Sequence, residues 1–154
     1  MITTWRIVAA EYAATAFAGR SASLAGGRWN SKGNAVVYTA SSASLAALEL
    51  LVHLTRHSEL HDRVIFASTF DEHLVEQIEI STLPPDWQSV PAPPRLREIG
   101  DAWITAMRSA VLKVPSVIIR TESNYLLNPG HPAFHQIEIA DPTPFTIDLR
   151  LLRR

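Results

Sequence analysis

Apolar residues recur along the chain with two periods, one typical of strands and the other typical of helices. Short runs of β-branched and aromatic residues predict strands. They lie at residues 5–8, 35–39, 63–70, 75–80, 111–119, 134–139 and 144–149. Apolar residues at helical spacing predict two helices, at residues 42–57 and 95–110. Residues 13–27 are mostly small and are compatible with either a helix or a loop.

The order of these elements predicts the fold class. Strands outnumber helices and do not alternate with them regularly, which favours an α+β fold over a doubly wound α/β fold. The helix at residues 42–57 is apolar on nearly all sides, so we predict that it is a central helix. Prolines interrupt residues 84–94 and predict a long irregular connection of the kind that often forms a lid or an edge. The expected architecture is a single compact domain, residues 1–154, with a mixed, largely antiparallel sheet.

The composition is that of an ordinary globular protein and excludes several kinds of site. Hydrophobic residues make up 47% of the 154 residues, and the formal net charge is −1. Without a basic excess, direct nucleic-acid binding is not expected. The absence of cysteine excludes disulfides, thiolate metal ligands and a cysteine nucleophile. Because there is no secretory signal pattern and no apolar run of ~20 residues, we expect a cytoplasmic protein without membrane contact.

One acidic residue stands out in the apolar helix. Leu45 precedes Glu49 by four residues and Val52 follows it by three, so all three side chains share one side of the helix. Glu49 is therefore predicted to be buried. A buried carboxylate needs a cationic or hydrogen-bonding partner, and Arg28 and Tyr38 are the nearest candidates along the chain. An acid, a guanidinium and a phenol in one cleft are typical of an active site.

Familiar nucleotide and hydrolase signatures are missing, and a metal site has only weak support. The sequence contains no Walker-type loop, no three-glycine dinucleotide fingerprint and no Gly-x-Ser-x-Gly elbow. His53, His57 and His61 follow Glu49 at four-residue steps, a spacing that can present metal ligands along one helix. Ser58 nearby suggests that the helix ends within this run, so a solvated helix end is the favoured interpretation. No metal is predicted.

Several short blocks stand in order along the chain. They are Gly26-Gly27-Arg28-Trp29-Asn30, Val36-Val37-Tyr38-Thr39-Ala40, Leu48-Glu49, Val114-Pro115-Ser116, Asn128-Pro129-x-His131-Pro132 and Phe145-x-x-Asp148-x-Arg150-Leu151. In this order they resemble the successive blocks of the RES domain family over nearly the whole chain. That family is named for an arginine, a glutamate and a serine, which correspond here to Arg28, Glu49 and Ser116.

The resemblance implies a fold, an activity and a partner. Its fold would be similar to that of ADP-ribosyltransferases. Its activity would be the consumption of NAD⁺ by hydrolysis or phosphorolysis, as in a toxin of a bacterial toxin-antitoxin pair. The partner would be an antitoxin with an Xre-type helix-turn-helix domain. NAD⁺ itself is the substrate, so no further cofactor is expected.

The resemblance also implies roles for individual residues. Glu49 would stabilise the positive charge that develops on the ribose when the bond to nicotinamide breaks. Arg28, together with Arg6, would bind the pyrophosphate. Tyr38 would stack on the nicotinamide ring, and Ser116 would present its hydroxyl to the ribose or the carboxamide.

Alternatives remain open at several positions. Asn30 is a candidate NAD⁺ contact, but it and Asn128 also fit a role in holding loops, and Ser116 fits a role in stabilising a turn. The C-terminal arginines, Arg150, Arg153 and Arg154, fit either a solvated tail or an acidic partner surface. Transfer of ADP-ribose to a protein is the rival activity, and a non-catalytic interaction module is a weaker alternative. The near-neutral charge disfavours a ribonuclease.

Overall fold

A mixed sheet organises the protein, as described by a computed structural model for residues 1–153. Within these residues the strands are β1 (Ile2–Ala9), β2 (Val37–Ala40), β3 (Arg63–Phe70), β4 (Val75–Gln77), β5 (Val111–Pro115), β6 (Ser123–Leu127), β7 (Glu138–Ile139) and β8 (Thr143–Phe145). Their order in the sheet is β4-β5-β6-β2-β1-β3-β7, and β8 also pairs with β3. The β4–β5 pair is parallel and the other pairs are antiparallel. The predicted mixed, largely antiparallel sheet is confirmed.

Within residues 1–153, three α-helices pack on one face of this sheet, the face that carries Tyr38, Leu112 and Leu126. They are α1 (Arg20–Ala25), α2 (Ala43–His53) and α3 (Pro94–Ala106). Helix α2 begins where the Ser42 side chain accepts a hydrogen bond from the Leu45 amide. Helix α3 has proline in its first turn, where the missing N–H breaks no hydrogen bond, and ends at Met107 in the left-handed conformation. No helix within residues 1–153 has the length and apolar character needed to cross a membrane.

The central strands β5 and β6 bury side chains on both faces of the sheet. Successive strand residues point to opposite faces, so one face of this pair carries Leu112 and Leu126 and the other carries Val111 and Leu127. The first face packs against α3 through Trp103 and adjoining apolar residues. All five of these side chains are fully buried. The buried side chains on the two faces of the sheet fix the positions of the loops that leave β2, β5 and β6.

Helix α2 is more exposed than its composition predicts. It contacts β1 and β2 on one side, where Leu45 and Ala46 are buried. Towards its C-terminal end the helix is less covered, and Val52, on the same side as Leu45, is 58% exposed. The expectation that apolar residues on all sides mean burial on all sides was wrong here, because the last turn of α2, with Val52 and His53, is exposed. The helix also ends at His53, four residues earlier than predicted.

Other boundaries differ from the sequence-based predictions for local reasons. The predicted strand at residues 134–139 is mostly a 3-10 helix, Pro132–Gln136, followed by the short strand β7. Asn124 lies outside the predicted strands but belongs to β6, where it pairs with Val114 of β5 and Ala40 of β2. The strand predicted at residues 111–119 ends at Pro115, which has no N–H to continue the ladder.

Candidate active site

A cleft of about 1020 Å³ opens between α2, the first two strands of the chain and the loop at residues 26–29. Its wall includes four of the six predicted site residues, Arg6, Arg28, Tyr38 and Glu49. The other two, Asn30 and Ser116, do not line it. The proline-rich passage supplies part of the rim through Gln88, Val90 and Ala92.

Glu49 lies at the edge of the cleft rather than in the interior. Its side chain is 28% exposed, so the predicted burial of Glu49 is only partial. This partial burial still raises the pKa of the Glu49 carboxyl above its usual range, while hydrogen bonding from Asn124 and the charges of His53 and Arg28 oppose the rise. The result is an acid that faces the cleft and is only partly solvated.

Arg6 contributes a positive charge without a carboxylate partner among the described residues. Its Nε donates to the carbonyl oxygen of Ala16 at 2.8 Å, and its Nη1 donates to that of Tyr38 at 2.9 Å. Burial lowers the pKa of Arg6 to about 10, so the group stays protonated at neutral pH. Neutral carbonyls fix the guanidinium but leave its charge uncompensated, which favours an anion in the cleft.

Arg28 joins the loop at residues 26–29 to the proline-rich passage. Its Nη1 donates to the carbonyl oxygens of Trp87 and Ser89, each at 3.1 Å. Burial lowers the pKa of Arg28, and the charge of Glu49 opposes this shift. The predicted partnership with Glu49 is therefore electrostatic, since no salt bridge joins the two within residues 1–153.

The Tyr38 ring lines the cleft, but its hydroxyl is used inside the protein. The O–H donates to Oδ1 of Asn30 at 2.7 Å and accepts a hydrogen bond from the Trp29 amide at 3.1 Å. Burial raises the pKa of Tyr38 well above its usual value, so the phenol stays neutral. Tyr38 can therefore offer a ring face to a ligand but cannot act as a proton carrier at neutral pH.

Asn30 is fully buried, and its amide holds the loop together. Its Nδ2 donates to the carbonyl oxygens of Ala22 at 2.9 Å and Asn34 at 3.1 Å. Its Oδ1 accepts the hydrogen bond from Tyr38. The structure thus places Asn30 as a loop-holding residue, which was one of the two roles predicted for it.

Ser116 is also fully buried and lies at the turn after β5. Its Oγ accepts hydrogen bonds from the amides of Ile118 and Ile119, both at 3.1 Å. Val117 and Ile118 of this turn line the cleft. In this conformation Ser116 shapes the cleft wall through the turn, and its hydroxyl does not reach the cleft.

Asn124 is the cleft residue that sequence reasoning missed. Its Nδ2 donates to the Thr39 carbonyl oxygen at 3.3 Å, and its side chain also lowers the pKa of Glu49 by hydrogen bonding. Its position on β6 places it across the cleft from α2. The available signal was the apolar run Tyr125-Leu126-Leu127 that directly follows Asn124 and is compatible with a buried strand.

The histidine run does not form a metal site. Helix α2 ends at His53, so His57 and His61 leave its axis and line a separate groove near the C-terminal segment. His53 stays at the cleft rim, with Nε2 4.0 Å from Oε2 of Glu49. No group of three or more histidine, aspartate or glutamate side chains in residues 1–153 is arranged to hold a metal ion.

Residues 3–148 match the family model of the RES domain. The chain belongs to the RES domain family. "Toxin Res" of Yersinia enterocolitica is 39% identical over 148 residues, which is 96% of this chain and 97% of that protein. The "Prs ADP-ribosylating toxin" of a Sphingobium species is 36% identical over 97% of this chain and 96% of its own length.

The fold of this RES domain is also found in a solved structure. The chain resembles one from the crystal structure of the M. tuberculosis MbcT-MbcA toxin-antitoxin complex, with a TM-score of 0.76 and 17% identity. The similarity covers 94% of this chain and 84% of that chain. It confirms the predicted α+β fold.

The last blocks of the RES domain lie away from the cleft. Oδ1 of Asn128 accepts a hydrogen bond from the Gly130 amide at 3.0 Å, and Nε2 of His131 is 3.1 Å from the Met107 carbonyl oxygen. These contacts hold the C-terminal end of α3. Arg150 pairs with Asp148 at the surface. Arg153 borders the separate groove, and Arg154 lies outside the described residues.

Proposed function

We propose that the protein is the toxin of a toxin-antitoxin pair and that it cleaves the nicotinamide-ribose bond of NAD⁺. The observation that carries this proposal is the cleft in which Glu49, an uncompensated Arg6, Arg28 and the Tyr38 ring meet. Membership of the RES domain family and the "Toxin Res" relatives support the biological role.

Glu49 would supply the negative charge for the bond cleavage. When the bond between ribose C1′ and the nicotinamide nitrogen breaks, nicotinamide leaves with the electron pair and the ribose becomes oxocarbenium-like. A carboxylate fixed in a partly water-excluded cleft stabilises this charge more than water does. Water or inorganic phosphate then forms the new bond at C1′, and water loses a proton to the solvent. Asn124 and Arg28 oppose the rise in the pKa of Glu49 and thereby help to keep it ionised.

The two arginines suit the anionic part of the same substrate. Arg6 and Arg28 both line the cleft, and neither has a carboxylate partner at salt-bridge distance in the described chain. A pyrophosphate would supply two negative charges and several acceptor oxygens. The ring of Tyr38, held by Asn30 and Trp29, would stack on the cationic nicotinamide. No metal ion is required for this chemistry.

The direct test is NAD⁺ consumption by the purified protein, with and without inorganic phosphate. We expect release of nicotinamide, with the products resolved by chromatography. ADP-ribose would identify hydrolysis, and a phosphate-dependent product would identify phosphorolysis. No loss of NAD⁺ under either condition, and none after addition of a cell lysate, would contradict the proposal.

A second candidate is the transfer of ADP-ribose to a protein. The name of the Sphingobium relative, "Prs ADP-ribosylating toxin", favours it. This activity uses the same cleavage and differs in the nucleophile, which is a protein side chain. Incubation of a lysate with labelled NAD⁺, followed by mass spectrometry of the labelled proteins, separates the two activities.

The proposed partner is an antitoxin with an Xre-type helix-turn-helix domain, and the proposed location is the cytoplasm. Support for the antitoxin partner comes from the toxin-antitoxin complex that contains the structural neighbour. Co-expression with such an antitoxin should relieve toxicity and yield a complex in size-exclusion chromatography. Unchanged toxicity and separate elution would contradict this partnership.

Exchange of Arg28 for lysine is expected to weaken NAD⁺ binding about tenfold, because an ammonium cannot reproduce the two-pronged contact of a guanidinium with phosphate oxygens. In the parent, Nη1 of Arg28 binds the Trp87 and Ser89 carbonyl oxygens and leaves the other guanidinium nitrogens for the ligand, whereas lysine has one nitrogen for both. Calorimetric titration with NAD⁺ measures the effect. Arg95→Lys, on the exposed surface of α3, is the matched control. Equal NAD⁺ affinity of Arg28→Lys and the parent would show that Arg28 does not contribute to NAD⁺ binding.

Exchange of Ser116 for alanine is expected to lower the free energy of unfolding by about 1–2 kcal/mol, because two amides lose their acceptor. Turnover should fall less than about tenfold, since the hydroxyl acts through the turn. Urea denaturation and NAD⁺ consumption measure the two effects. A loss of turnover of about a hundredfold or more at parental stability would instead assign Ser116 a direct role with the substrate.

A further inference from the structure

A carboxylate outside the cleft makes a specific contact with the loop that carries Arg28. Asp101 lies on α3, and its Oδ1 accepts hydrogen bonds from the Ser31 amide at 2.9 Å and from Nδ2 of Asn34 at 2.8 Å. Asp101 does not line the cleft and belongs to none of the sequence blocks described above. A single oxygen atom thus joins the helix to two points of the loop.

A series of hydrogen bonds connects this Asp101 oxygen with the turn that carries Arg28. Ser31 directly follows Asn30, whose amide side chain binds Tyr38 on one side and Asn34 on the other. The Gly27 amide donates to the Asn30 carbonyl oxygen at 2.9 Å, which closes the turn at residues 27–30. Arg28 lies inside this closed turn. Fixing the end of the turn at Ser31 therefore fixes the backbone from which the arginine extends.

The guanidinium at the far end of the same side chain is held by the segment that leads into α3. Trp87 and Ser89 accept its hydrogen bonds, and this passage continues to the first residue of α3, Pro94. Trp87 itself is buried in the cluster that packs α3 against the sheet. One structural unit, the proline-rich passage with α3, thus holds both the backbone and the charged group of Arg28.

We propose that Asp101 is a positioning residue for the anion-binding Arg28, acting through the hydrogen bonds from Ser31 and Asn34. The assignment of NAD⁺ as the anion rests on the proposed function, whereas the effect on the loop does not. The role needs an acceptor oxygen at this place and does not need a negative charge. Asparagine at position 101 can supply such an oxygen, and alanine cannot.

The test compares Asp101→Ala, Asp101→Asn and the control Glu98→Ala. Glu98 lies on the same helix, is exposed and pairs only with Arg95 among the described residues, so its removal takes away a similar charge without touching the loop. Hydrogen exchange of the peptide that covers residues 26–34 reports on the loop, whether or not the protein acts on NAD⁺. Steady-state NAD⁺ kinetics report on KM and kcat separately.

For Asp101→Ala we expect about tenfold faster exchange of residues 26–34 and a KM raised about tenfold, with kcat changed much less. Asp101→Asn should restore both values to within about twofold of the parent, as should the control. Parental exchange in Asp101→Ala would overturn the proposal, and so would an Asp101→Asn variant that behaves like Asp101→Ala. Faster exchange with an unchanged KM would overturn the link to Arg28. If the parent consumes no NAD⁺, the proposed function fails while the exchange experiment still decides whether Asp101 fixes the loop.

Discussion

Exchange of Glu49 for glutamine is expected to lower kcat for NAD⁺ cleavage about a thousandfold, because the amide has nearly the same shape but no charge to stabilise an oxocarbenium-like ribose. Binding of NAD⁺ should change much less, since Arg6 and Arg28 remain. Chromatographic quantification of nicotinamide release measures the first effect, and calorimetric titration measures the second. Glu98→Gln, at an exposed position on α3, is the control for loss of a carboxylate. Parental turnover in Glu49→Gln would contradict the catalytic assignment.

Glu49→Gln, which is expected to lower kcat, should raise the stability of the folded protein at neutral pH. Burial raises the pKa of Glu49 in the folded state above its unfolded value. At low pH the protonated Glu49 carboxyl contributes favourably to folding stability. This contribution is lost as pH rises through the folded-state pKa, because ionisation of the partly buried carboxyl opposes folding. Glu49→Gln removes this penalty and should be more stable than the parent at neutral pH. The difference in melting temperature should shrink as the pH falls below the unfolded pKa of glutamate.

A stabilising but inactive variant would indicate that Glu49 is retained for its chemistry. Active sites often keep groups that are unfavourable for folding. Thermal denaturation at neutral and acidic pH checks the expectation. A variant that is less stable than the parent at neutral pH would instead assign Glu49 a structural partnership with Asn124 or His53.

Exchange of Gly100 for alanine is expected to lower the free energy of unfolding by about 3 kcal/mol and to disorganise the Arg28 loop. An added Cβ at this position would lie 1.7 Å from the Trp29 carbonyl oxygen and 2.7 Å from the Trp29 carbonyl carbon. These are backbone atoms, so a change of rotamer cannot relieve the overlap. Helix α3 and the loop would have to move apart, which would also stretch the contacts of Asp101 with Ser31 and Asn34.

Urea denaturation measures this loss, and calorimetric titration with NAD⁺ measures its effect on the site. Gly130→Ala is the matched control, because a Cβ at Gly130 would meet its nearest neighbour, the Asn128 side-chain oxygen, at 3.4 Å. We expect that control to stay within about 1 kcal/mol of the parent. Similar stabilities for the two variants would show that α3 does not pack on the Trp29 backbone as described.

The two arginines of the cleft depend on different parts of the fold. Arg6 is fixed by carbonyl oxygens of Ala16 and of β2, which belong to the sheet side of the cleft. Arg28 is fixed by the proline-rich passage and, through its loop, by α3. Damage to α3 should therefore weaken the contribution of Arg28 while leaving that of Arg6 in place. The Asp101 and Gly100 variants test this division of roles.

The sequence by itself determined the elements whose cause is local. Residues 63–70 form the predicted strand with the same boundaries, because the run is rich in β-branched and aromatic residues. Helix α2 begins after Ser42, at the predicted start of that helix, since the side chain of a cap residue needs only the amides of the next turn. The ordered blocks also indicated the RES domain family, which the match over residues 3–148 confirms.

Only the tertiary structure decided which side chains reach the cleft. The polar atoms of Ser116 and Asn30 bind neighbouring backbone groups, as the loop-holding and turn-stabilising alternatives for these residues predicted. Asn124 enters the cleft because β6 pairs with β2 and β5, a register that depends on partners far along the chain. Asp101 meets the loop across 70 residues of sequence for the same reason. Periodicity and propensity act over a few residues, whereas these contacts follow from how the sheet and α3 pack together.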